Sequence, residues 1–134
     1  MERILFVCVE NSCRSQIAEA WAKELGKGLV EPYSSGSKPS GAVNPLAIEV
    51  MKEVGIDISK NASKGFSGLP VKAFDKAVTM GCGDQCPFVS AKDHLNWDIP
   101  DPKGKGIEDF RSVRDMIRNN VKELLGQIRK EAGQ

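Results

Sequence analysis

A short apolar run that leads directly into a loop containing cysteine and arginine constrains this chain more than any other feature. Residues 4–7 are all apolar, as expected for a strand buried on both faces of a parallel sheet. Cys8, Arg14 and Ser15 then define a Cys-x5-Arg-Ser segment, and apolar spacing predicts a helix over residues 16–26. The sequence therefore predicts a strand, a tight loop and a helix in direct succession.

This loop has the composition of a site for a tetrahedral oxyanion. Inward-facing N–H groups and the start of the following helix would present positive charge to an anion. Arg14 would add a two-pronged charged hydrogen bond, and the same field favours the nucleophilic thiolate form of Cys8. Ser15 could donate a hydroxyl hydrogen to the sulfur. The predicted oxyanion-binding residues are Val9, Glu10, Asn11, Ser12, Cys13 and Arg14. The alternative is a buried cysteine on a strand and a surface arginine.

Composition predicts one catalytic domain over residues 1–134. The net charge of +1 argues against a nucleic-acid or acidic-membrane partner, and no apolar stretch reaches the roughly 20 residues that span a bilayer. With an N-terminus too short for a signal peptide, we expect a cytoplasmic protein. Its four cysteines then indicate reduced thiols with chemical roles. We also expect a monomer.

The rest of the chain alternates between strand and helix signals. Further strands are predicted at residues 29–34, 73–80 and 94–97, with helices at residues 46–54 and 110–128. This alternation predicts an α/β fold, a four-stranded parallel sheet flanked by helices, with ligands bound beyond the carboxyl ends of the strands. Cys8 lies at such an end, and the third strand is expected beside the first.

Further motifs extend along nearly the whole chain. They are residues 8–16, 33–36, 44–45, 53–59, Cys82, Cys86-Pro87, Asp101-Pro102 and 110–114. In these motifs the chain resembles the low-molecular-weight protein tyrosine phosphatase superfamily and, within it, the thioredoxin-coupled arsenate reductases. The resemblance implies a flavodoxin-like sheet with Cys8 as nucleophile, Arg14 as oxyanion clamp and Asp101 as general acid.

An acid at Asp101 also makes chemical sense by itself. A leaving oxygen needs a proton, and a carboxyl group held near the anion can supply it. Pro102 restricts the backbone of the loop that would present this acid. Asp98, three residues earlier, is a rival. A solvated loop aspartate is the alternative for both.

Cys82 and Cys86 separate two branches of the superfamily. A phosphatase needs only the loop, the acid and water, whereas a reductase must deliver two electrons and needs additional thiols. Glycines on both sides of Cys82 would let the backbone move during disulfide exchange. The alternatives are inert thiols or a metal site with His94, which would lack a fourth ligand for zinc. We interpret Cys13 as mostly inert.

Two other features favour a reductase of a small inorganic oxyanion. Gln16 stands where tyrosine phosphatases of this superfamily usually have proline. Residues 103–106, Lys-Gly-Lys-Gly, form a basic mouth without the aromatic wall that flanks a phosphotyrosine. Arsenate is therefore the predicted substrate, with phosphate or sulfate as mimics. A phosphatase and a metal- or redox-sensing module remain as alternatives.

The resemblance implies a thiol relay from Cys8 to Cys82 and then to Cys86. Thioredoxin would reduce the final disulfide, and no tightly bound cofactor is expected. The spacing of Cys82 and Cys86 is shorter than the gap common in thioredoxin-coupled members. Glutaredoxin with glutathione is therefore the alternative reductant.

Two departures from the family pattern lead to further expectations. Glu10 would weaken anion binding if it faced the ligand, so we expect its side chain to point outward. Some arsenate reductases bind potassium at positions matching Asn11, Glu19, Ser34 and an aspartate, but Lys64 replaces that aspartate. We expect the ammonium of Lys64 to pair with Glu19 and exclude potassium, while Asn11 braces the loop. No metal site is predicted.

Overall fold

A computed structural model describes residues 1–81 and 89–133. The strands are β1 (Glu2–Cys8), β2 (Val30–Gly36), β3 (Ala73–Thr79) and β4 (Ser90–Asn96). The helices are α1 (Arg14–Leu25), α2 (Pro45–Glu53) and α3 (Ile107–Glu131), with a 3₁₀ turn at Phe66–Gly68. In the part of the chain so described, no helix is both long and apolar enough to cross a membrane.

The strands form one parallel sheet in the order β2-β1-β3-β4. The predicted α/β architecture is confirmed, as is the placement of the third strand beside the first. Cys8 lies opposite Gly36 of β2, and the preceding Val7 lies opposite Thr79 of β3. The loop after Cys8 therefore leaves the carboxyl edge of the sheet from a central strand, where a ligand can be reached by several neighbouring loops.

The alternating side chains of β1 separate two apolar clusters. Ile4 and Phe6 pack with the three helices, in the larger cluster. Leu5 and Val7 face the opposite side of the sheet, where they form a smaller cluster with Leu69 and Phe74. Because residues 4–8 are buried on both faces, β1 has no polar alternation and is a rigid support for the loop.

The boundaries of three elements differ from the predictions. The fourth strand covers residues 90–96 rather than 94–97, because an exposed edge strand does not need an apolar run. The first helix begins at Arg14 rather than at residue 16. The last helix is longer than the predicted residues 110–128, with charged residues in its added terminal turns.

Candidate active site

The backbone of the loop after Cys8 has a consistent orientation. Six consecutive carbonyl oxygens, those of residues 8–13, accept hydrogen bonds from donors outside the loop or from the first turns of α1. The donors are Ser37 N, Lys38 N, Ser40 N, Ser63 Oγ, Gln16 Nε2, Asn44 N and Ile17 N. Since the N–H and C=O of one trans peptide point in opposite directions, the N–H groups of residues 9–14 face the other way. This is the arrangement of an anion-binding nest, closed by the N-terminus of α1.

Two successive hydrogen bonds lead from Asn11 to Ser15 and from Ser15 to the sulfur of Cys8. Ser15 Oγ lies 3.0 Å from Cys8 Sγ. The Asn11 side-chain amide donates to Ser15 Oγ at 2.7 Å. Because that oxygen already accepts from Asn11, the single hydroxyl hydrogen of Ser15 is available to donate to the sulfur. A thiolate at Cys8 gains most from such a donor.

Arg14 is held by groups that are distant in sequence. Its Nη1 donates to the carbonyl of Ile99 at 3.0 Å, and Nη2 lies 3.5 Å from an oxygen of Asp101. The guanidinium is buried, with 6% of its side chain exposed. A Cβ added to Gly81 would overlap Nη1 and lie 3.1 Å from Cζ. The guanidinium therefore fits into a position with little freedom to shift.

A small cavity brings the predicted residues together. It has about 200 Å³ of empty space including its open mouth, and its lining residues are Cys8, Glu10, Ser12, Cys13, Arg14, Asp101 and Lys103. Asp101 is half-exposed and accepts a hydrogen bond from the backbone N–H of Lys103. Asp98, its rival, is exposed and is not among these lining residues. Of the two candidate acids, Asp101 is therefore the one that lines the cavity with Cys8.

Glu10 and Lys103 form an ion pair at the mouth of the cavity. Both residues contribute to the lining, and Lys103 balances the charge of Glu10, so the outward orientation of the Glu10 side chain stays a prediction. Glu10 in turn raises the pKa of Lys103 through a hydrogen bond. The predicted basic mouth is correspondingly less positive than the sequence alone indicates.

Cys13 lines the same cavity but has the properties of a neutral thiol. Burial raises the pKa of its thiol to about 11, although the hydroxyl of Ser12 lies close enough to oppose this effect. A thiol that stays protonated at physiological pH is a weak nucleophile. Its surroundings favour the interpretation of Cys13 as mostly inert.

Lys64 reaches Glu19 through an intermediate hydroxyl. Its Nζ donates to Ser34 Oγ at 3.4 Å, and Ser34 Oγ donates to Glu19 Oε1 at 3.0 Å. The predicted direct pair between Lys64 and Glu19 is therefore wrong, since the serine hydroxyl lies between the two charges. The Lys23 ammonium lies 4.0 Å from the other oxygen of Glu19, one helical turn away.

Cys82 and Cys86 lie outside the described residues. Gly81, which directly precedes Cys82 in the sequence, is described and packs against Arg14. The chain thus enters the segment 82–88 from a point beside the cavity. Among residues 1–81 and 89–133, no group of three or more His, Cys, Asp or Glu side chains could hold a metal ion.

The sequence interpretation missed the supporting roles of Gly36, Gly81 and Ile99. A Cβ on Gly36 would lie 2.6 Å from the carbonyl oxygen of Val9 and 2.7 Å from the amide nitrogen of Asn11, so the loop rests directly on this glycine. Gly81 likewise leaves room for the guanidinium of Arg14, and the carbonyl of Ile99 accepts a hydrogen bond from that guanidinium. A glycine at the end of each flanking strand was the available signal for the first two.

Comparison with known proteins agrees with this geometry. The model of the low molecular weight phosphotyrosine protein phosphatase family matches residues 3–134. The chain belongs to this family. Glutaredoxin arsenate reductase of Synechocystis sp. is 39% identical over 131 residues, which cover 96% of this chain and 99% of that protein.

Solved structures of this family add two more relatives. An arsenate reductase in the phosphate binding state superposes with a TM-score of 0.86 at 39% identity, covering 96% of this chain and 99% of that one. A thioredoxin-dependent arsenate reductase of Corynebacterium glutamicum gives 0.80 at 32% identity, covering 98% and 63%. Family members with this fold therefore include proteins named as arsenate reductases with different reductants.

Proposed function

We propose that this protein is an arsenate reductase, which converts arsenate to arsenite with electrons from a chain of cysteine thiols. The observation that carries the proposal is the loop after Cys8: the carbonyl groups of residues 8–13 are all hydrogen-bonded to groups outside the lining of the cavity that contains Cys8, Arg14 and Asp101. Inward-facing N–H groups and a guanidinium are the donors that bind a small tetrahedral oxyanion beside a nucleophilic sulfur. The relatives named as arsenate reductases support arsenate as that oxyanion.

In the first step, the Cys8 thiolate attacks the arsenic of arsenate. The N–H groups of residues 9–14 and the Arg14 guanidinium bind the other oxygens and balance their negative charge. Asp101 gives its proton to the departing oxygen, which leaves as water. The product is a covalent adduct in which the sulfur of Cys8 is bonded to arsenic in the +5 state.

The electrons are transferred in the second step. The Cys82 thiolate attacks Cys8 Sγ, the sulfur–arsenic bond breaks, and its electron pair stays on arsenic, which leaves as arsenite. A Cys8–Cys82 disulfide forms. Cys86 then attacks Cys82, which releases the Cys8 thiolate and leaves a Cys82–Cys86 disulfide. An external dithiol reduces this disulfide and restores the starting enzyme.

Thioredoxin is the proposed reductant, with glutaredoxin and glutathione as the alternative. Both kinds of reductant occur in the names of the relatives described above. A reducing cytoplasm is the compartment in which such systems keep thiols available. The decisive assay is arsenate-dependent NADPH oxidation with thioredoxin and thioredoxin reductase, repeated with glutaredoxin, glutathione and glutathione reductase. Turnover is expected in one arm, and its absence from both would contradict the proposal.

A phosphatase is the second candidate, because the matched family carries that name and the loop accommodates phosphate as readily as arsenate. Hydrolysis of an aryl phosphate needs no reductant, so it is measured with the thiol systems left out. We expect slow hydrolysis beside efficient arsenate reduction. Efficient hydrolysis with no arsenate reduction would favour the phosphatase.

Potassium is expected to change activity by less than about twofold when it replaces sodium at equal ionic strength. A potassium ion near Glu19 and Ser34 would lie beside the ammonium of Lys64. Two unit charges 4 Å apart repel by about 4 kcal/mol at a protein surface. The check is kcat/KM for arsenate in KCl and in NaCl, and a steep rise with potassium would contradict the expectation.

A further inference from the structure

Gln16 is a fully buried polar residue in the first turn of α1. Its amide nitrogen lies 2.9 Å from Asn11 Oδ1, 3.2 Å from the Asn11 carbonyl and 3.0 Å from the Ala62 carbonyl. Asn61 donates to its amide oxygen at 3.2 Å. Every polar atom of this side chain thus has a defined partner, and the amide cannot be reversed without placing oxygen against oxygen.

The partners of Gln16 fix the amide of Asn11 as well. Asn11 Oδ1 accepts hydrogen bonds from Gln16 Nε2 and from the backbone N–H of Lys64 at 2.8 Å. With its oxygen committed to two donors, the Asn11 amide must present its N–H to Ser15 Oγ. Asn11 is also in the left-handed region with φ 53°, a conformation that local side-chain hydrogen bonds help to hold.

The series of hydrogen bonds that begins at Gln16 ends at Cys8, and each residue in it donates to the next. Gln16 donates to Asn11, Asn11 donates to Ser15, and the remaining hydrogen of Ser15 then belongs to Cys8 Sγ, 3.0 Å away. Reversal of any amide in this series would turn Ser15 into an acceptor facing a sulfur anion. Networks of this kind gain strength from each correctly oriented member.

We infer that Gln16 is a positioning residue for the nucleophile: it orients Asn11 so that Ser15 donates its hydrogen to Cys8. The inference depends on the proposed role of Cys8 as nucleophile but not on arsenate being the substrate. It gives a function to a residue that the sequence showed only as a replacement for proline.

The first test is Gln16→Met, which keeps the length of the side chain and removes its hydrogen bonds. The readout is the pH profile of Cys8 alkylation by iodoacetamide, followed by mass spectrometry with fragmentation that distinguishes Cys8 from Cys13. We expect alkylation at pH 7 to be about 3- to 10-fold slower, and the midpoint of the profile to rise by about half to one pH unit. The charged groups lining the cavity with Cys8 are unchanged: Glu10, Arg14, Asp101 and Lys103.

A double-mutant cycle separates orientation from general loosening of the loop. Ser15→Ala removes the final donor, so Gln16→Met should have no further effect on the midpoint in that background. An equal shift in both backgrounds would overturn the inference, as would an unshifted profile in a folded Gln16→Met variant.

Asn61→Ala provides a milder second variant if Gln16→Met fails to fold. Asn61 is only partly buried and donates to the amide oxygen of Gln16, the atom that takes no part in the bond to Asn11. We expect about a twofold slowing at pH 7, absent in the Ser15→Ala background; no slowing would overturn the inference. Asn96→Ala is the matched control, because Asn96 Oδ1 accepts a hydrogen bond from the hydroxyl of Thr79 and takes no part in the series from Gln16 to Cys8. Its midpoint should be unchanged.

These measurements are independent of the arsenate assay. A shifted alkylation profile in a protein that does not reduce arsenate would leave this inference intact and contradict the proposed function. An unshifted profile in an active reductase would do the reverse.

Discussion

Replacement of Gly81 by alanine is expected to lower kcat/KM for arsenate about 100-fold, because the new methyl group would occupy the space of the Arg14 guanidinium. The overlap is with Nη1, which donates to the carbonyl of Ile99, so the guanidinium must leave that partner or the backbone must shift. Displacement of an anion-binding group by about 1 Å can reduce a rate by this factor. Steady-state arsenate reduction checks the prediction, and the loss should appear as a higher KM for arsenate together with a lower kcat.

Gly55→Ala is the matched control for Gly81→Ala. Both glycines have a left-handed backbone, with φ of 84° at Gly81 and 83° at Gly55, so alanine should destabilise the fold by about 1–2 kcal/mol at either position. A Cβ on Gly55 has no atom within 4 Å, so it cannot affect Arg14. Equal losses of activity in the two variants would show that backbone strain, and not contact with Arg14, is responsible.

Replacement of Cys82 by serine is expected to abolish multiple turnover, with a loss of about 1,000-fold or more, the order seen when one member of a catalytic unit is removed. Without the Cys82 thiol, no thiolate attacks Cys8 Sγ to break the sulfur–arsenic bond, so no arsenite leaves the enzyme. The measurement is arsenite released by prereduced protein with no external reductant. Wild-type protein should release one equivalent and Cys82→Ser none.

Cys86→Ser is the matched change of thiol to hydroxyl. It should release one equivalent of arsenite and then stop with a Cys8–Cys82 disulfide, which peptide mapping detects. Hydrolysis of an aryl phosphate should survive in both variants, since that reaction needs only Cys8, Arg14 and an acid. Normal turnover in Cys82→Ser with thioredoxin or glutaredoxin would show that the proposed order of thiols is wrong.

The parts of the fold that follow from neighbouring residues were predictable. The apolar run before Cys8, the loop and the helix after it are adjacent in sequence, and their hydrophobic patterns determine a buried strand and an amphipathic helix. Strand and helix alternation also predicted the parallel sheet, because crossover connections leave few alternatives. β4 was predicted too short, since its edge position lets Ser90, Lys92 and Asp93 be polar.

The charge environment of the site was harder to predict, because it depends on which distant side chains meet. The pairing of Glu10 with Lys103, 93 residues away, was not predicted, because it depends on how two distant loops meet. Lys64 was expected to contact Glu19 directly, but the hydroxyl of Ser34 on β2 lies between them. Neither contact leaves a local pattern in the sequence.

The sequence by itself determined where a nucleophilic sulfur and an anion-binding loop would be, because a strand, a glycine-free tight loop and a helix are encoded by fifteen or so consecutive side chains. Only the tertiary structure decided what surrounds them. Arg14 meets the carbonyl of Ile99, 85 residues away, and Gln16 meets Ala62, 46 residues away. Such partners come together only when the whole sheet and its loops pack. The directions of the hydrogen bonds and the balance of charges around Cys8 are therefore properties of the folded chain.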